Sequence, residues 1–233
     1  MGTRARSGSG AGLVGQGAPP GGRLTRAACD AEWRPTQGIE LGRIHFFARE
    51  LGGSLLPAKK SKLSIRAAGA HESDRLLECS SPRVTRDLIL DRFQRGDECF
   101  VAEDRAGRCV HTGWLTTTNG YIPELDMTVV LRPGEAYLYN AYAPPDRRGL
   151  GAFGLVLDFI FDRLVLAGFT RAYSYVRADN LYGLTGAPRR LSPVGVLWYL
   201  RIGDRRLTLG RRTPALPILV RRGDRRSLAP PQP

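Results

Sequence analysis

Residues 135–154 read EAYLYNAYAPPDRRGLGAFG: an alternating strand, then two prolines, then basic residues, then glycines that open a helix. Amides at a helix start lack intrahelical acceptors and sit at the positive end of the dipole, so this order builds a place for an anion where the side chains are small. Gly149 and Gly151 leave that clearance, and Arg147 and Arg148 add charge. Downstream, Phe153, Leu155, Val156, Leu157, Phe159, Ile160, Phe161, Leu164 and Leu166 leave only a narrow polar stripe of Asp158, Asp162 and Arg163, the pattern of a helix largely covered by protein. Gly168 stands where a left-handed cap ends such a helix, and Arg171 to Val176 (RAYSYV) alternate as a strand. The unit is therefore strand, phosphate turn, helix, strand.

The same glycines spell G-x-G-x-x-G, the fingerprint of a dinucleotide-binding unit, and Asp179 follows the next strand where a ribose-binding acid would stand. The long Ala143 to Arg148 segment between strand and first glycine, the late acid and the short remaining chain all argue against that fold.

The stretch Lys62 to Leu207 resembles the GNAT superfamily of acyl-CoA-dependent N-acetyltransferases. Its motif is Pro145-Asp146-Arg147-Arg148-Gly149-Leu150-Gly151, similar to the family's P-x-x-R-G-x-G turn around the coenzyme A pyrophosphate. Asn180 in VRADN stands where the family carries an asparagine after the next strand, and Arg189 to Ile202 resemble its closing segment, a short turn leading into the last strand. SIRAA (64–68) as a first strand, two helical stretches around His71 to Cys79 and Val84 to Arg95, and a hairpin before the motif strand complete the family order. The resemblance implies a mixed α/β (α+β) fold: a largely antiparallel sheet flanked by helices, with a central parallel pair splayed apart.

It also implies acetyl-CoA as co-substrate and direct attack of an amine acceptor, a small molecule or a peptide, on the thioester. Coenzyme contacts then fall on Arg148, Gly149, Leu150, Gly151 and Asn180, with a backbone amide of Tyr142 or Ala143 reaching the acyl carbonyl. Two positions depart from the family. Phe153 replaces the usual small residue two places after the second glycine, and Ala187 takes the place of the tyrosine about two turns after the asparagine, leaving Tyr182 as the nearest phenol for the general acid. Glu124, in the polar segment NGYIPELDM, is the candidate general base, with Glu135 and Asn140 as other groups that could line the acceptor site. Alternation along the motif strand puts Glu135, Tyr137 and Tyr139 on one face and Ala136, Leu138, Asn140 and Tyr142 on the other. Acceptor choice falls to Gly52 to Lys62 and Thr116 to Pro133.

At 233 residues with 42% hydrophobic and 24% charged residues, the chain suits one well-covered core plus tails. Residues 1–37 form a Gly/Arg/Pro-rich leader too poor in apolar residues to fold alone. Residues 38–61 suggest an amphipathic N-terminal helix (IELGRIHFFAREL) with a connector, 62–207 the acyltransferase domain, and 208–233 a basic tail. The leader lacks the apolar stretch of a secretory signal and no segment is apolar enough to span a membrane, so the expected compartment is the cytoplasm. A homodimer is open. The net charge of +13 invites a nucleic-acid reading, but nine arginines between Arg201 and Arg226 come with few aromatics and no known nucleic-acid module. Cys29, Cys79, Cys99 and Cys109 form no C-x-x-C pair and no zinc spacing with His45, His71 and His111, so no metal site is expected. If Asp104 to Gly107 turns a hairpin, Cys99 faces about Thr112 and Cys109 points to the opposite face. Two further functions stay open: a catalytically silent acyl-CoA-binding protein, and a basic nucleic-acid-interacting protein.

Overall fold

The computed structural model describes residues 39–52, 61–203, 205–210 and 213–221. The expected leader (1–37) and most of the expected connector and tail lie outside these residues. Eleven strands are described: β1 (Ile39–Glu50), β2 (Ser64–Ala68), β3 (Glu98–Glu103), β4 (Cys109–Thr116), β5 (Asn119–Ile122), β6 (Met127–Val130), β7 (Glu135–Tyr142), β8 (Arg171–Arg177), β9 (Ser192–Ile202), β10 (Arg205–Leu209) and β11 (Ile218–Arg221). The α-helices are α1 (Ser73–Glu78), α2 (Arg86–Gln94), α3 (Ala152–Leu166) and α4 (Leu181–Gly186). The main sheet has the order β10-β9-β1-β8-β7-β4-β3-β2, and a small second sheet has the order β11-β6-β5. Every described pairing is antiparallel except β7 with β8, which α3 connects. That single parallel pair among antiparallel neighbours excludes the dinucleotide-binding fold.

Each face of the main sheet has its own cover. On one, α3 packs Val156, Leu157, Ile160, Phe161 and Leu164 against Ala136, Leu138, Ala172 and Phe47. On the other, the small sheet closes over Ile44, Phe46, Tyr137, Tyr173 and Tyr199, while α1 and α2 cover Cys99, Val101 and Trp114. Tyr137, Tyr139, Tyr173 and Tyr175 therefore line the small-sheet side, with Tyr137 stacked on Tyr139 and Tyr175. The helix cap expected at Gly168 holds. Gly168 (φ 81°) closes α3 with its N–H on the Val165 carbonyl at 3.0 Å and the Phe169 N–H on Leu164 at 2.9 Å, the paired bonds of a left-handed helix cap. Thr85 Oγ1 accepts from the Leu88 N–H at 3.2 Å and starts α2.

Several expectations fail. Residues 39–50 form a strand, not a helix: Ile39, Leu41 and Arg43 alternate with Glu40, Gly42 and Ile44. Gly42 lets the Tyr199 ring lie across the backbone, where an added Cβ would come within 2.2 Å of it. SIRAA is consequently the second strand, and Ser192–Ile202 is followed by two more. The chain beyond residue 207 is not wholly tail, since β11 pairs with β6 from Ile218↔Val130 to Arg221↔Met127. In the hairpin, Asp104 Oδ1 accepts from the amides of Ala106 and Arg108 as the turn requires, but Val101, not Cys99, faces Thr112. A bulge between Ala102 and Glu103 returns Cys109 to the side of Cys99. Cys79, Cys99 and Cys109 are all buried free thiols.

Candidate active site

Pairing between β7 and β8 runs from Glu135↔Arg171 to Leu138↔Ser174 and stops, although β7 continues to Tyr142 and β8 to Arg177. The strand ends separate because each has another partner. Tyr142 lies opposite Thr112 on β4, while Tyr175, Val176 and Arg177 lie opposite Phe46, His45 and Ile44 on β1. At the point of separation Asn140 adopts φ 47° and the β4–β7 register slips between Thr112 and Trp114. The slip turns Asn140 over: its amide oxygen, oriented toward Arg92, lies 2.6 and 2.9 Å from the two terminal nitrogens of that guanidinium. Arg92 itself is fully buried and stacks on Trp114 and Tyr139. Asn140 thus faces the same side as Tyr139, which simple alternation denied.

The gap between the strands is a cleft of about 1030 Å3 lined on one wall by Leu138 to Ala143 and on the other by Ser174 to Arg177. Tyr142 and Ala143, expected to present an amide to an acyl carbonyl, are both on its wall. Arg148, Gly149, Leu150, Gly151 and Asn180 line the same cleft. Pro145–Arg147 make a short 3-10 turn, and Gly149 and Gly151 take φ 83° and 72°, the left-handed region that favours glycine. Neither has any atom within 4 Å of an added Cβ, so both face open space. Helix α3 then begins at Ala152 with no side-chain cap, leaving its first amides for a ligand. The third glycine of the fingerprint has a different use: a Cβ on Gly154 would lie 2.4 Å from the guanidinium carbon of Arg190, which pairs with Asp158 at 2.7 Å.

The two arginines of the turn divide. Arg147 donates to the Cys109 carbonyl and ties the turn to β4. Arg148 Nε donates to the Ala143 carbonyl at 3.2 Å, and its guanidinium stands 5.0 Å from the centre of the exposed Tyr182 ring. Asn180 Oδ1 accepts from the Gly183 N–H at 3.0 Å, so it caps α4, which lasts only six residues before Pro188 enters a 3-10 turn. Tyr182 therefore lies with Arg148 at the turn.

Glu124 comes to the cleft from the tight connection between β5 and β6. It is buried at 6% exposure and lines the cleft. Its Oε2 accepts from the Tyr175 hydroxyl at 2.9 Å, and Oε1 lies 3.5 Å from Arg177 Nη1. Burial pushes its carboxyl above the usual range, opposed by the hydrogen bond from Tyr175 and the charge of Arg177. Glu135, by contrast, sits at the closed end of the parallel pair, bonded to the Tyr173 hydroxyl and the Arg132 amide, and does not reach the cleft.

His111 also lines the cleft, a role its isolation in the sequence concealed. It stacks on Phe153, with ring centres 5.8 Å apart, and burial pulls its pKa down to about 4. The useful signal was its place two residues into a strand flanked by buried positions, not any motif.

No family model and no curated protein matches the chain. Solved structures do. A GCN5-related N-acetyltransferase from Sphaerobacter thermophilus is 15% identical over 70% of this chain and 52% of its own, with a TM-score of 0.52. One from Kribbella flavida is 17% identical over 74% and 60%, with a TM-score of 0.47. The Saccharomyces cerevisiae N-myristoyltransferase with bound myristoyl-CoA is 14% identical over 68% and 47%, with a TM-score of 0.40. The chain spans about half the length of the Sphaerobacter protein. No helix among the described residues is long and apolar enough to cross a membrane. The eight-stranded, mostly antiparallel sheet, its one parallel pair parted around a cleft and the likeness to the Sphaerobacter structure agree: this protein has the fold of the GNAT superfamily.

Proposed function

We propose that the protein is an acyl-CoA-dependent N-acyltransferase that moves an acetyl group from acetyl-CoA to an amine acceptor. The observation that carries this reading is the parting of β7 and β8 beyond Leu138 and Ser174, with an open glycine turn and a buried carboxylate on the same cleft. In this reading the pyrophosphate rests on the amides of Gly149, Gly151 and the start of α3, with Arg148 adding charge. The pantetheine arm runs between the two strands, and an amide of Tyr142 or Ala143 polarises the acyl carbonyl. The acceptor nitrogen attacks the carbonyl carbon, Glu124 takes the proton released from it, and the carbon–sulfur bond breaks to free the thiolate, which is protonated by water. Tyr175 and Arg177 hold Glu124 in place and favour its ionised form. The position of Tyr182 beside Arg148 suits contact with the coenzyme's phosphate end better than protonation of sulfur.

That position also supports a second reading, a silent acyl-CoA-binding protein, because α4 ends after six residues and brings no phenol of its own beyond Tyr182. Calorimetric titration with acetyl-CoA, followed by a thiol-release assay on a panel of small amines and peptides, separates the two. Binding with turnover supports the enzyme, binding without turnover on any acceptor supports the silent protein, and no binding refutes both. The basic nucleic-acid reading loses ground for a structural reason: Arg201 is buried against Glu40 and Arg206 pairs with Asp126, so part of the arginine-rich segment serves the fold.

A further inference from the structure

Helix α3 covers only part of its face of the main sheet. It packs on β3 and β4 and over β7 and β8, while α4 is too short to extend the layer, and among the described residues nothing covers the far wing β1-β9-β10 on that side. Three rows of side chains cross this wing. Ile39, Ile202 and Arg205 form the first, Leu41, Leu200 and Leu207 the second, and Arg43, Trp198 and Leu209 the third. Ile39, Leu41, Leu207 and Leu209 are 74%, 68%, 49% and 59% exposed, and Trp198 and Ile202 are 44% and 54% exposed. Seven of these nine positions are apolar. Together they leave open on the order of 700 Å2, above the usual largest apolar patch of a monomer and near the ~800 Å2 each partner gives to a standard interface.

We propose that this wing is a homodimer interface, each copy laying its three rows on those of the other as a two-layered sandwich. Area is the first reason. Charge placement is the second, because a chain of net charge +13 pairs with itself only where like charges stay apart. Sheets pack aligned within about 30° or at right angles. A right-angle crossing about a diagonal two-fold would set Arg43 over Arg205 or over its own copy, so like charge favours the aligned class, with the axis along the strands or across them. In the first case Arg43 of one copy lies over Leu209 of the second copy and Arg205 over Ile39. In the second, Arg43 lies over Ile39 and Arg205 over Leu209. In neither does arginine meet arginine, and the stem of Arg43 is already turned onto Trp198, its guanidinium 5.0 Å from the ring centre. Cover from elsewhere in this chain is the competing occupant, but residues 1–38 hold only Met1, Leu13, Val14, Leu24 and Trp33 as large apolar side chains, residues 53–60 only Leu55 and Leu56, and residues 222–233 only Leu228. No one of these segments matches the patch.

Sedimentation equilibrium of the full chain tests this. The expected result is a dimer, weakened at least ~100-fold by Leu41→Glu and again by Leu207→Glu, each of which buries a charge at the centre of the contact. Both positions are exposed in one copy, so circular dichroism and the melting curve should stay native in shape, and two variants on separate strands guard against one failing to fold. A wild-type chain that is monomeric at on the order of 100 μM overturns the proposal, as does a dimer that both variants leave intact. A monomer that dimerises only after removal of residues 1–38 overturns it too, by showing that the preceding segment occupies the face.

Discussion

At the turn Pro145–Gly151 the recognition groups belong to the backbone: two left-handed glycines, uncapped amides and open space around them. At the Glu124 corner they are side chains gathered from the small sheet and β8, buried and tied to one another through Tyr175 and Arg177. The first region can seat a diphosphate with few side-chain requirements beyond the absence of a Cβ. The second depends on each partner and on the exclusion of water. In the proposed acyl transfer the first region would set affinity and the second rate, and substitutions should divide along that line.

The largest effect is expected at Glu124. Glu124→Gln keeps the shape and removes the proton acceptor, so kcat should fall roughly 10^2- to 10^4-fold while calorimetric affinity for acetyl-CoA is unchanged. A variant that loses affinity and retains kcat would erase the division between the two regions.

His111, packed on Phe153 between the turn and β4, comes next. Its folded pKa of about 4 lies below the ordinary 6.5, so the unfolded chain binds the extra proton first and the neutral histidine's contribution is lost as pH falls from 6.5 through 4. The loss amounts to roughly 3 kcal/mol. Urea unfolding at pH 7 and pH 4 should show His111→Phe gaining on the wild type by about that amount at the lower pH, and equal slopes for the two would contradict the burial of a neutral imidazole.

At the turn itself, Gly151→Val forces a β-branched residue to φ 72° and fills the open space. Combined with Arg148→Ala it should weaken acetyl-CoA 10- to 100-fold, about 1.4–2.8 kcal/mol, with the melting profile of the rest of the domain preserved. Smallest is Tyr175→Phe, which removes the 2.9 Å hydrogen bond to Glu124. The carboxyl, already raised by burial, loses a bond that favours its charged form, so the acid limb of the kcat profile should move to higher pH. A downward shift would place Tyr175 in another role.

The two regions also differ in how far they could be read in advance. Pro145 to Gly151 and the capping of α3 by Gly168 are local: a turn's need for left-handed residues and an apolar stripe are written in adjacent positions, and the structure keeps both. The strand β1 misleads because its apolar residues satisfy either period over so short a stretch, and only pairing with β8 and β9 on both sides decides for a strand. Asn140 is hidden for a similar reason, since a slip of the β4 register turns it to the other face. Glu124 could be named as a carboxylate near the motif strand, but the partners that hold it in the interior, Tyr175 and Arg177, come from β8, some fifty residues later. Such non-local packing leaves no mark near Glu124 itself.

A crystal structure of the protein with coenzyme A bears most directly on the central claim. The account predicts the pyrophosphate on the amides between Gly149 and the first turn of α3, the pantetheine passing between Leu138–Ala143 and Ser174–Arg177, and the sulfur on the Glu124 side of that gap. Coenzyme bound outside the parted strands, or a turn that stays empty at saturating coenzyme, would contradict it.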